Sequence, residues 1–306
     1  MQQPNFYAAG GLDRVGHLRK DPAWLADRLQ QASTRFVPVW RALNLVQDTP
    51  EGPVPLLLER ERVAPVLDAT ASPVLLGIEG EAALFALDLS AADSPLEILA
   101  LDPPGHRFLD LRAFGPLLGR RDGAVLAYAK GMMHWHARHR FCGVCGSPTV
   151  SAEAGHVRHC SNPDCKASHF PRTDPAVIML VSDGENCLLG RQAVWPAGMY
   201  STLAGFVEPG ESLEEAVARE VHEEAGIEVD SVIYHSSQPW PFPASIMLGF
   251  VATARTREIR IATDELQDAR WFSRRWLLDQ PDGPEFRRPR QDSIARRLID
   301  DWLARG

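Results

Sequence analysis

The 306-residue sequence has no apolar run that approaches the ~20 residues needed to cross a bilayer. Its first residues also lack the basic segment and following apolar core that mark a secretory signal. It contains no internal repeat of fixed period and no low-complexity tract. These absences lead us to expect a globular protein of the cytoplasm that has no membrane partner.

Positive charge is in the minority. The chain has 32 lysines and arginines against 40 aspartates and glutamates, which leaves a formal net charge of -8. A protein of this sign does not attract nucleic acid over its whole surface. An acidic enzyme that acts on anionic phosphates must therefore neutralise them locally, either with arginines or with metal ions.

Cysteine is scarce, with five residues of which four fall between Cys142 and Cys165. An odd number of clustered cysteines in a chain without an export signal indicates metal binding rather than disulfides. Cys142 and Cys145 form one pair, Cys160 and Cys165 form another, and fourteen residues separate the pairs. Pairs at this separation predict a structural zinc ribbon, in which four thiolates hold one zinc ion per chain.

The second cysteine pair is wider than a ribbon usually has, with four intervening residues where two are expected. Either this knuckle is looser, or His159 or His169 replaces one of the thiolates. Four-cysteine ligation is the interpretation that we favour. The fifth cysteine, Cys187, lies in an apolar run, where a cysteine is typical of the protein core.

The chain divides into three parts, residues 1–138, 139–170 and 171–306, and proline and glycine punctuate the β-like runs of the first part. The first part is β-rich, the second is the cysteine-rich insert, and the third alternates strands with helices. The predicted strands cover residues 37–46, 54–58, 73–78, 82–89, 176–181, 187–189, 229–234, 246–252 and 270–272. The predicted helices cover residues from about 123 to 138, 213–225 and 294–304. This pattern indicates an α+β protein.

An acidic segment over residues 205–227 is the most informative stretch. Ser212 and Glu215 have the spacing of a capping box, which predicts that a helix begins immediately after Ser212. Gly226 is a typical residue just beyond the end of a helix, so the helix should end at Ala225. The segment therefore predicts one helix with both of its ends defined by local sequence.

Three carboxylates, Glu220, Glu223 and Glu224, share one face of that helix because they lie at positions i, i+3 and i+4. Like charges at this spacing repel one another. They also supply converging hard oxygen ligands, which suit Mg²⁺ or Mn²⁺. Arg219 lies beside them and can pair with Glu211 or another carboxylate. Taken alone, the three carboxylates are also compatible with a solvated acidic helix face.

The segment resembles the Nudix box at nine fixed positions, namely Gly205, Glu211, Arg219, Glu220, Val221, Glu223, Glu224, Gly226 and Ile227. The resemblance implies a Nudix fold, in which a mixed β-sheet lies between α-helices, and hydrolysis of a diphosphate by attack of water. It implies that Glu220 and Glu224 are the principal metal ligands. Glu223 would be a further ligand or a carboxylate behind them, and the backbone carbonyl of Ala204 would complete the metal site.

Residues 237–245 read Ser-Gln-Pro-Trp-Pro-Phe-Pro-Ala-Ser. Alternate prolines fix φ and remove backbone donors, which excludes a helix or a central strand. We expect a stiff extended loop between a strand that ends near Tyr234 and one that begins near Ile246. The rings of Trp240 and Phe242 would suit a flat base or a nicotinamide. Two alternatives are a polyproline ligand for an SH3 or WW partner and an aromatic plug in the core.

The same string, ten residues past the box, resembles the signature of the NADH pyrophosphatase family of Nudix hydrolases. That family cleaves NAD(H) to nicotinamide mononucleotide and AMP, and some members remove NAD caps from RNA. The resemblance implies a homodimer and a degenerate Nudix-like domain in the first part of the chain. It also implies that substrate is contacted by Gln238, Pro239, Trp240, Pro241, Phe242, Pro243, Ala244 and Ser245.

Four further positions take roles from this resemblance. Glu265 would join the metal site, although a surface glutamate in a loop would look the same. Ala295 would line the nucleotide pocket, whereas the residues alone indicate only a helix that Ser293 caps. Arg112 would reach the substrate across a dimer. Phe170 stands where we expect tyrosine, a change that keeps ring stacking and loses a phenolic hydrogen bond.

The leading hypothesis is an NAD(H) diphosphatase with Mg²⁺ or Mn²⁺ at the carboxylate helix. A second hypothesis keeps this site but makes NAD-capped RNA the substrate, with RNA phosphates bound by Arg287, Arg288, Arg290, Arg296 and Arg297. A solvated basic surface is the alternative explanation for these arginines. A third hypothesis is a non-catalytic protein whose zinc ribbon binds RNA or a protein partner, and the complete carboxylate set argues against it.

Overall fold

The computed structural model describes residues 3–8, 10–67, 73–261 and 265–305, which divide into two units. The first unit comprises Tyr7–Thr173 and Pro241–Ala244. The second comprises Met1–Phe6, Asp174–Trp240 and Ser245–Gly306. Within the described residues, every helix is too short or too polar to cross a membrane.

The first unit contains a six-stranded mixed sheet and five helices among the described residues. The helices are α1 (Pro22–Gln30), α2 (Arg60–Leu67), α3 (Pro95–Ile98), α4 (Leu111–Phe114) and α5 (Arg120–Arg138). The strands are β1 (Arg35–Trp40), β2 (Leu43–Thr49), β3 (Gly52–Pro55), β4 (Val74–Glu79), β5 (Ala82–Asp88) and β6 (His106–Leu109). Their order is β3-β2-β1-β5-β4, with β6 also paired to β2, and β1 runs parallel to β5.

The prediction of one strand over residues 37–46 was wrong, because this run forms the antiparallel hairpin of β1 and β2. Trp40 pairs with Leu43 across the hairpin. Arg41 and Ala42 make the turn, and both have positive φ, 49° and 66°. Two-residue turns of this kind favour Asn-Gly or Asp-Gly, so the Arg-Ala pair gives no sequence signal for a turn.

The cysteine-rich insert forms a three-stranded sheet of β7 (Thr149–Ala152), β8 (Val157–Cys160) and β9 (Ser168–His169). It belongs to the first unit and packs against β4. His156, just before β8, is 8% exposed, and its Nε2 lies 2.7 Å from the carbonyl oxygen of Leu75. The neighbouring Gly155 has a φ of 89°, and a Cβ there would lie 2.5 Å from a methyl of Val74.

His156 makes the stability of this unit depend on acid. Burial lowers its pKa to about 4 from 6.5. The unfolded chain binds a proton below about pH 6.5 and the folded chain does not, so stability is lost as the pH falls from about 6.5 to 4. We expect the free energy of unfolding to fall by about 3 kcal/mol over this window, as measured by urea unfolding.

The His156→Gln variant is the matched control for this pH dependence. Its amide can still donate to the Leu75 carbonyl but does not titrate. The variant should therefore lose this part of the pH dependence and keep the rest. An unchanged dependence between pH 6.5 and 4 in the variant would assign the acid sensitivity to other groups.

The second unit contains another six-stranded mixed sheet and three helices among the described residues. The strands are β10 (Asp174–Ser182), β11 (Asn186–Arg191), β12 (Leu203–Phe206), β13 (Val229–Trp240), β14 (Ser245–Ala254) and β15 (Asp268–Ser273). The helices are α6 (Leu213–Ala225), α7 (Arg274–Asp279) and α8 (Ile294–Leu303). The order is β13-β14-β10-β11-β15, with β12 paired to β10, and β10 runs parallel to β14.

The central strand β10 is buried on both faces, which explains its continuous apolar sequence. Successive side chains of a strand point to opposite faces of its sheet. Val177, Met179 and Val181 accordingly belong to the apolar core that includes the buried residues of α6. Ile178 and Leu180 belong to the core that includes the buried residues of α8. The predicted sheet between helices is therefore confirmed.

Strand β13 extends to Trp240, beyond its predicted end near Tyr234, so the prediction of a loop from residue 237 onward was wrong. In the described residues β13 is an edge strand that pairs with β14 alone, and Trp240 faces Ser245 at the last position. An edge strand tolerates proline because one side of it has no neighbour that needs a donor. Only residues 241–244 form the turn between the two strands.

Candidate active site and zinc centre

Helix α6 begins and ends where the sequence predicts. Ser212 Oγ accepts a hydrogen bond of 3.2 Å from the Glu215 backbone N–H, and the Glu215 carboxylate accepts one of 2.8 Å from the Ser212 N–H. Gly226 ends the helix with a φ of 68°. Val217 and Val221 are completely buried and fix the helix against the sheet. The carboxylates on its remaining surface therefore have defined positions.

Arg219 joins the loop before the helix to the carboxylates on it. Its Nε and Nη2 donate to the two carboxylate oxygens of Glu211 at 2.6 and 2.9 Å. Its Nη1 donates to Glu220 at 2.9 Å and to Glu223 at 3.0 Å. Hydrogen bonding from Arg219 lowers the pKa of Glu211 to about 2. The expected pairing of Arg219 is confirmed, and one arginine compensates part of the charge of three acids.

Glu224 is the buried carboxylate of the group, with 5% of its surface exposed. Its Oε2 has no hydrogen-bond partner in the described part of the chain. Burial, together with repulsion from Glu220 and Glu265, raises the pKa of Glu224 to about 8. A buried carboxylate oxygen without a partner is costly unless a proton or a cation compensates it. This oxygen is the observation that best fits a divalent metal ion.

Glu220 lies directly against the backbone of Gly205. A Cβ at Gly205 would lie 1.8 Å from the carboxyl carbon of Glu220, so any larger residue there would occupy the space of the carboxylate. Burial raises the pKa of Glu220, and the charges of Glu223 and Glu265 add to this effect. Gly205, the first residue of the Nudix box, must therefore be a glycine, because a side chain there would take the place of the Glu220 carboxylate.

The predicted ligands outside the helix, Glu265 and Ala204, also lie near its carboxylates. Glu265 is exposed, yet its charge raises the pKa of both Glu220 and Glu224. Residues 263 and 264 of the same motif lie outside the described residues. The backbone N–H of Ala204, in β12, donates a hydrogen bond to the carboxylate of Glu224. The structure therefore brings all the predicted ligands to one region of the second unit.

The carboxylates form an open arrangement rather than a closed cage. Within residues 3–8, 10–67, 73–261 and 265–305, only the four paired cysteines form a group of three or more ligands whose atoms lie within 4.8 Å of one another. Arg219 holds Glu220 and Glu223 toward its own guanidinium. The proposed donors are all oxygens, from four carboxylates and the backbone carbonyl of Ala204, and oxygens are the ligands that Mg²⁺ and Mn²⁺ prefer. With the unpartnered oxygen of Glu224, they fit such an ion.

The turn between β13 and β14 places Phe242 beside two cations of the first unit. The guanidinium carbon of Arg112 lies 4.9 Å, and Nζ of Lys130 5.3 Å, from the centroid of its ring. Tyr7 meets the same ring edge-on at 5.9 Å. Lys130 is 8% exposed and binds Asp110 at 2.8 Å. Two predicted substrate residues, Arg112 and Phe242, thus meet within one chain, with a lysine that the sequence analysis missed.

Gln238 is completely buried, and its side-chain amide is used within the second unit. Its Nε2 donates to the carbonyl oxygens of Asp292 at 2.7 Å and Phe6 at 3.0 Å. Its Oε1 accepts from the Ile294 N–H at 2.8 Å. These bonds engage the amide within the protein and fix the end of β13 to the start of α8. Contact of Gln238 with substrate stays a prediction.

The other predicted substrate residues differ in exposure. Pro239 and Pro243 are exposed, Trp240, Ala244 and Ser245 are half-buried, and Pro241 is buried. Phe170 is 65% exposed, so its ring is free to meet a ligand. Ala295 is 2% exposed, and its side chain packs in the apolar core around α8. Phe170 is therefore an aromatic residue of this set that is accessible to a flat ligand.

Four of the five arginines considered for RNA phosphates are paired with aspartates of the second unit. The pairs are Arg288–Asp282 at 3.1 Å, Arg290–Asp292 at 2.7 Å, Arg296–Asp300 at 2.9 Å and Arg297–Asp301 at 3.4 Å. The fifth, Arg287, donates to a backbone carbonyl at 3.3 Å. These contacts favour a surface of intramolecular ion pairs over a dedicated phosphate site.

The four predicted zinc ligands lie together. The Sγ atoms of Cys142, Cys145, Cys160 and Cys165 are all within 4.8 Å of one another, and none of the described cysteines forms a disulfide. Cys142 and Cys165 are 3.8 Å apart, and Cys145 and Cys160 are 3.4 Å apart. A tetrahedral site with Zn–S bonds of about 2.3 Å requires sulfur separations of about 3.8 Å. The structure thus confirms a four-cysteine zinc site.

The wide second knuckle needs no histidine ligand. Nε2 of His169 lies 3.3 Å from Sγ of Cys142, a distance suited to a hydrogen bond that supports a ligand thiolate. His159 is exposed and contacts a serine hydroxyl at 2.9 Å. Cys187 is completely buried, and burial raises its pKa to about 12, which confirms that it is a core residue.

Three family models match the chain in sequence order. The NADH pyrophosphatase-like rudimentary NUDIX domain matches residues 33–135. The NADH pyrophosphatase zinc ribbon domain matches residues 137–170, and the NUDIX domain matches residues 172–292. The matches thus cover the β-rich part, the cysteine-rich insert and the carboxylate helix.

Similar proteins include two hydrolases and one solved structure. The human NAD-capped RNA hydrolase NUDT12 is 42% identical over 214 residues, which are 66% of this chain and 45% of that protein. The NAD-capped RNA hydrolase NudC of Stutzerimonas stutzeri is 42% identical over 222 residues, which are 72% of this chain and 73% of that protein. A NUDIX hydrolase structure from Nitrosomonas europaea has 21% identity and a TM-score of 0.43, covering 54% of this chain and 90% of that one. The chain therefore spans less than half the length of its primate relatives.

Proposed function

The chain belongs to the NADH pyrophosphatase family of Nudix hydrolases, and from this premise we propose that it hydrolyses the pyrophosphate bond of NAD(H). The products are nicotinamide mononucleotide and AMP. The observation that carries the proposal is the buried, unpartnered carboxylate oxygen of Glu224 within a complete Nudix box. Such an oxygen destabilises the fold when it has no partner, but it is a suitable ligand for a divalent cation.

The residues that would hold Mg²⁺ or Mn²⁺ are Glu220, Glu223, Glu224, Glu265 and the carbonyl of Ala204. When bound, such an ion offsets the charge of the diphosphate and lowers the pKa of the attacking water. Arg219 and Glu211 act through position, because their paired hydrogen bonds fix the loop before α6 relative to the helix. Gly205 leaves the space that the Glu220 carboxylate occupies.

We assign the substrate contacts to the aromatic turn, its flanking residues and three other positions. These are Pro239, Trp240, Pro241, Phe242, Pro243, Ala244, Ser245, Phe170, Ala295 and Arg112. The exposed ring of Phe170 suits stacking on a flat heterocycle. Arg112 offers a guanidinium that matches a phosphate. Ala295 has a buried side chain, so its contribution comes from the backbone at the start of α8.

NAD-capped RNA is a second candidate substrate for the same site. It is favoured by the relatives NudC and NUDT12, which are described as NAD-capped RNA hydrolases. The NAD moiety of such an RNA presents the same diphosphate. Because the arginines near α8 are paired with aspartates, recognition would rest chiefly on the cap rather than on the RNA chain.

Products distinguish these proposals. With Mg²⁺ or Mn²⁺ and NADH, we expect equal amounts of AMP and reduced nicotinamide mononucleotide, separated by liquid chromatography. With NAD-capped RNA, we expect a 5′-monophosphate RNA. If only the cap is bound, kcat/KM for capped RNA and for NADH should fall with salt at the same slope. A steeper slope for RNA would show that the enzyme also contacts phosphates of the RNA chain. The absence of AMP with every dinucleotide tested would contradict the main proposal.

We also propose a homodimer with domain boundaries near residues 138 and 170, acting in the cytoplasm. The four-thiolate site supports this location, because a reducing compartment keeps thiols free of disulfides. Sedimentation of the purified chain at micromolar concentration tests the dimer through its mass. A monomer under the conditions of full activity would contradict it.

A further inference from the structure

A basic turn of the first unit lies against helix α5. Between residues 14 and 20 the chain has three charged side chains, Arg14, Arg19 and Lys20, and no acidic one. Nη2 of Arg19 donates to the carbonyl oxygen of Arg14 at 3.0 Å, which holds the two residues close together. The guanidinium carbon of Arg14 lies 4.0 Å from the centroid of the Tyr128 ring in α5. Two arginines thus meet one tyrosine.

The charge of this group is not compensated. Lys20 pairs with Glu153 at 3.2 Å, whereas Arg14 and Arg19 form no ion pair with any carboxylate of the described residues. His156 lies nearby, its ring 6.3 Å from that of Tyr128. Its pKa is lowered to about 4 by burial, so it is neutral at physiological pH. Two guanidinium charges therefore remain without a counterion.

Two buried donors in the same group form no hydrogen bond of normal geometry in the described chain. They are Nε of Arg19 and the hydroxyl of Tyr128. Burial raises the pKa of Tyr128, and the charges of Arg14 and Arg19, together with their side-chain hydrogen bonding to the hydroxyl, oppose this shift, which places both guanidiniums near the hydroxyl. Buried donors are almost always satisfied in native proteins. An oxygen acceptor of negative charge would satisfy both donors and neutralise the arginines.

We propose that Arg14, Arg19 and Tyr128 form a binding site for a phosphate group. Guanidinium forks match the oxygens of a phosphate, and a tyrosine hydroxyl supplies one more donor. A mononucleotide and the backbone of RNA both present this group. The site is built from residues outside the Nudix box, so it does not depend on the proposed hydrolysis.

The test measures the rise in thermal unfolding temperature of the full chain with three probes. The probes are inorganic phosphate, AMP and an uncapped RNA oligonucleotide, at equal ionic strength and without added Mg²⁺. The variants are Arg19→Gln and Tyr128→Phe. Arg107→Gln is the matched control, because it removes the same charge from an arginine that pairs with Asp48 in the same unit. The apparent Kd is obtained from the dependence on probe concentration.

We expect wild type and Arg107→Gln to respond alike, and the Kd to rise about tenfold in Tyr128→Phe and further in Arg19→Gln. Tyr128→Phe keeps the ring under Arg14 and removes a buried hydroxyl that forms no hydrogen bond of normal geometry, so its unfolding temperature without probe should not fall. If RNA binds more tightly than AMP, the ligand of this site is the RNA backbone. If the two bind equally, the ligand is a single phosphate group. Equal responses in all four proteins, or none in wild type, would overturn the site.

Hydrolysis of NADH separates this proposal from the previous one. Both phosphate-site variants keep the complete Nudix box, so their kcat on NADH should equal that of wild type. Variants that lose phosphate binding but keep full activity on NADH would support the phosphate site. If wild type does not hydrolyse NADH, only the proposed function is contradicted. A parallel loss of kcat and phosphate binding in Tyr128→Phe would overturn the separate site.

Discussion

Replacing Glu224 with glutamine should lower kcat/KM for NADH about a thousandfold or more while the chain stays folded, because a metal ion contributes several kcal/mol to the transition state. The amide has the size of the carboxylate but no charge with which to bind Mg²⁺. Burial and neighbouring carboxylates already raise the pKa of Glu224 to about 8, so the folded protein readily accommodates its neutral form. A neutral amide should therefore not destabilise α6.

The matched control for this variant is Glu214→Gln, on the exposed first turn of the same helix. Both changes replace one glutamate of α6 by its neutral amide, but Glu214 lies outside the carboxylate group, and activity should be retained. Added Mg²⁺ should raise the thermal unfolding temperature of wild type and Glu214→Gln, and leave that of Glu224→Gln unchanged. Full turnover by Glu224→Gln would show that the cation is held by other residues.

Removal of zinc is expected to have the largest effect on stability. Structural zinc contributes about 10–16 kcal/mol in small zinc domains, which is comparable with the whole stability of a domain. The insert has three short strands, β7 to β9, and its four ligand sulfurs draw together residues far apart in sequence. Cys160→Ser should therefore lose zinc and unfold the insert, which circular dichroism and protease sensitivity would record.

Metal content provides the control for this change. Wild-type protein should contain one zinc per chain by atomic absorption. Cys187→Ala should contain the same amount, because Cys187 is a core residue outside the cluster. The loss of stability in Cys187→Ala should be limited to the cost of a small cavity. Wild-type protein that is folded without any zinc would exclude the structural role of the metal.

The parts of the fold that follow from local chemistry were predictable from sequence. The ends of α6 are defined by Ser212, Glu215 and Gly226, each of which acts within a few residues of itself. The start of α8 is likewise set by Ser293, whose hydroxyl accepts from the Ala295 N–H at 3.1 Å. Helical periodicity places the Nudix carboxylates on one face, and the resemblance to the Nudix box at nine positions distinguished them from a solvated acidic face. In each case the partners of the decisive contact lie within a few residues of each other in the sequence.

Features that depend on distant contacts were not predictable. The end of β13 lies at Trp240 because β14 supplies a neighbouring strand, which outweighs the weak strand propensity of the prolines. Gln238 became a structural residue only when Asp292 and Ile294 were brought to it from more than fifty positions away. Lys130 gave no signal for the same reason, because its partner Asp110 and the ring of Phe242 meet it only in the folded unit.

Arg219 has a consequence for how the protein acquires its metals. With one positive charge among Glu211, Glu220 and Glu223, it serves as an internal counterion before any divalent ion arrives. The Nudix helix is therefore complete in the apoprotein, and loading of Mg²⁺ or Mn²⁺ becomes a reversible event in a finished structure. The cysteine centre is expected to need its zinc in order to fold, whereas occupancy by Mg²⁺ or Mn²⁺ would follow the free concentration of that ion.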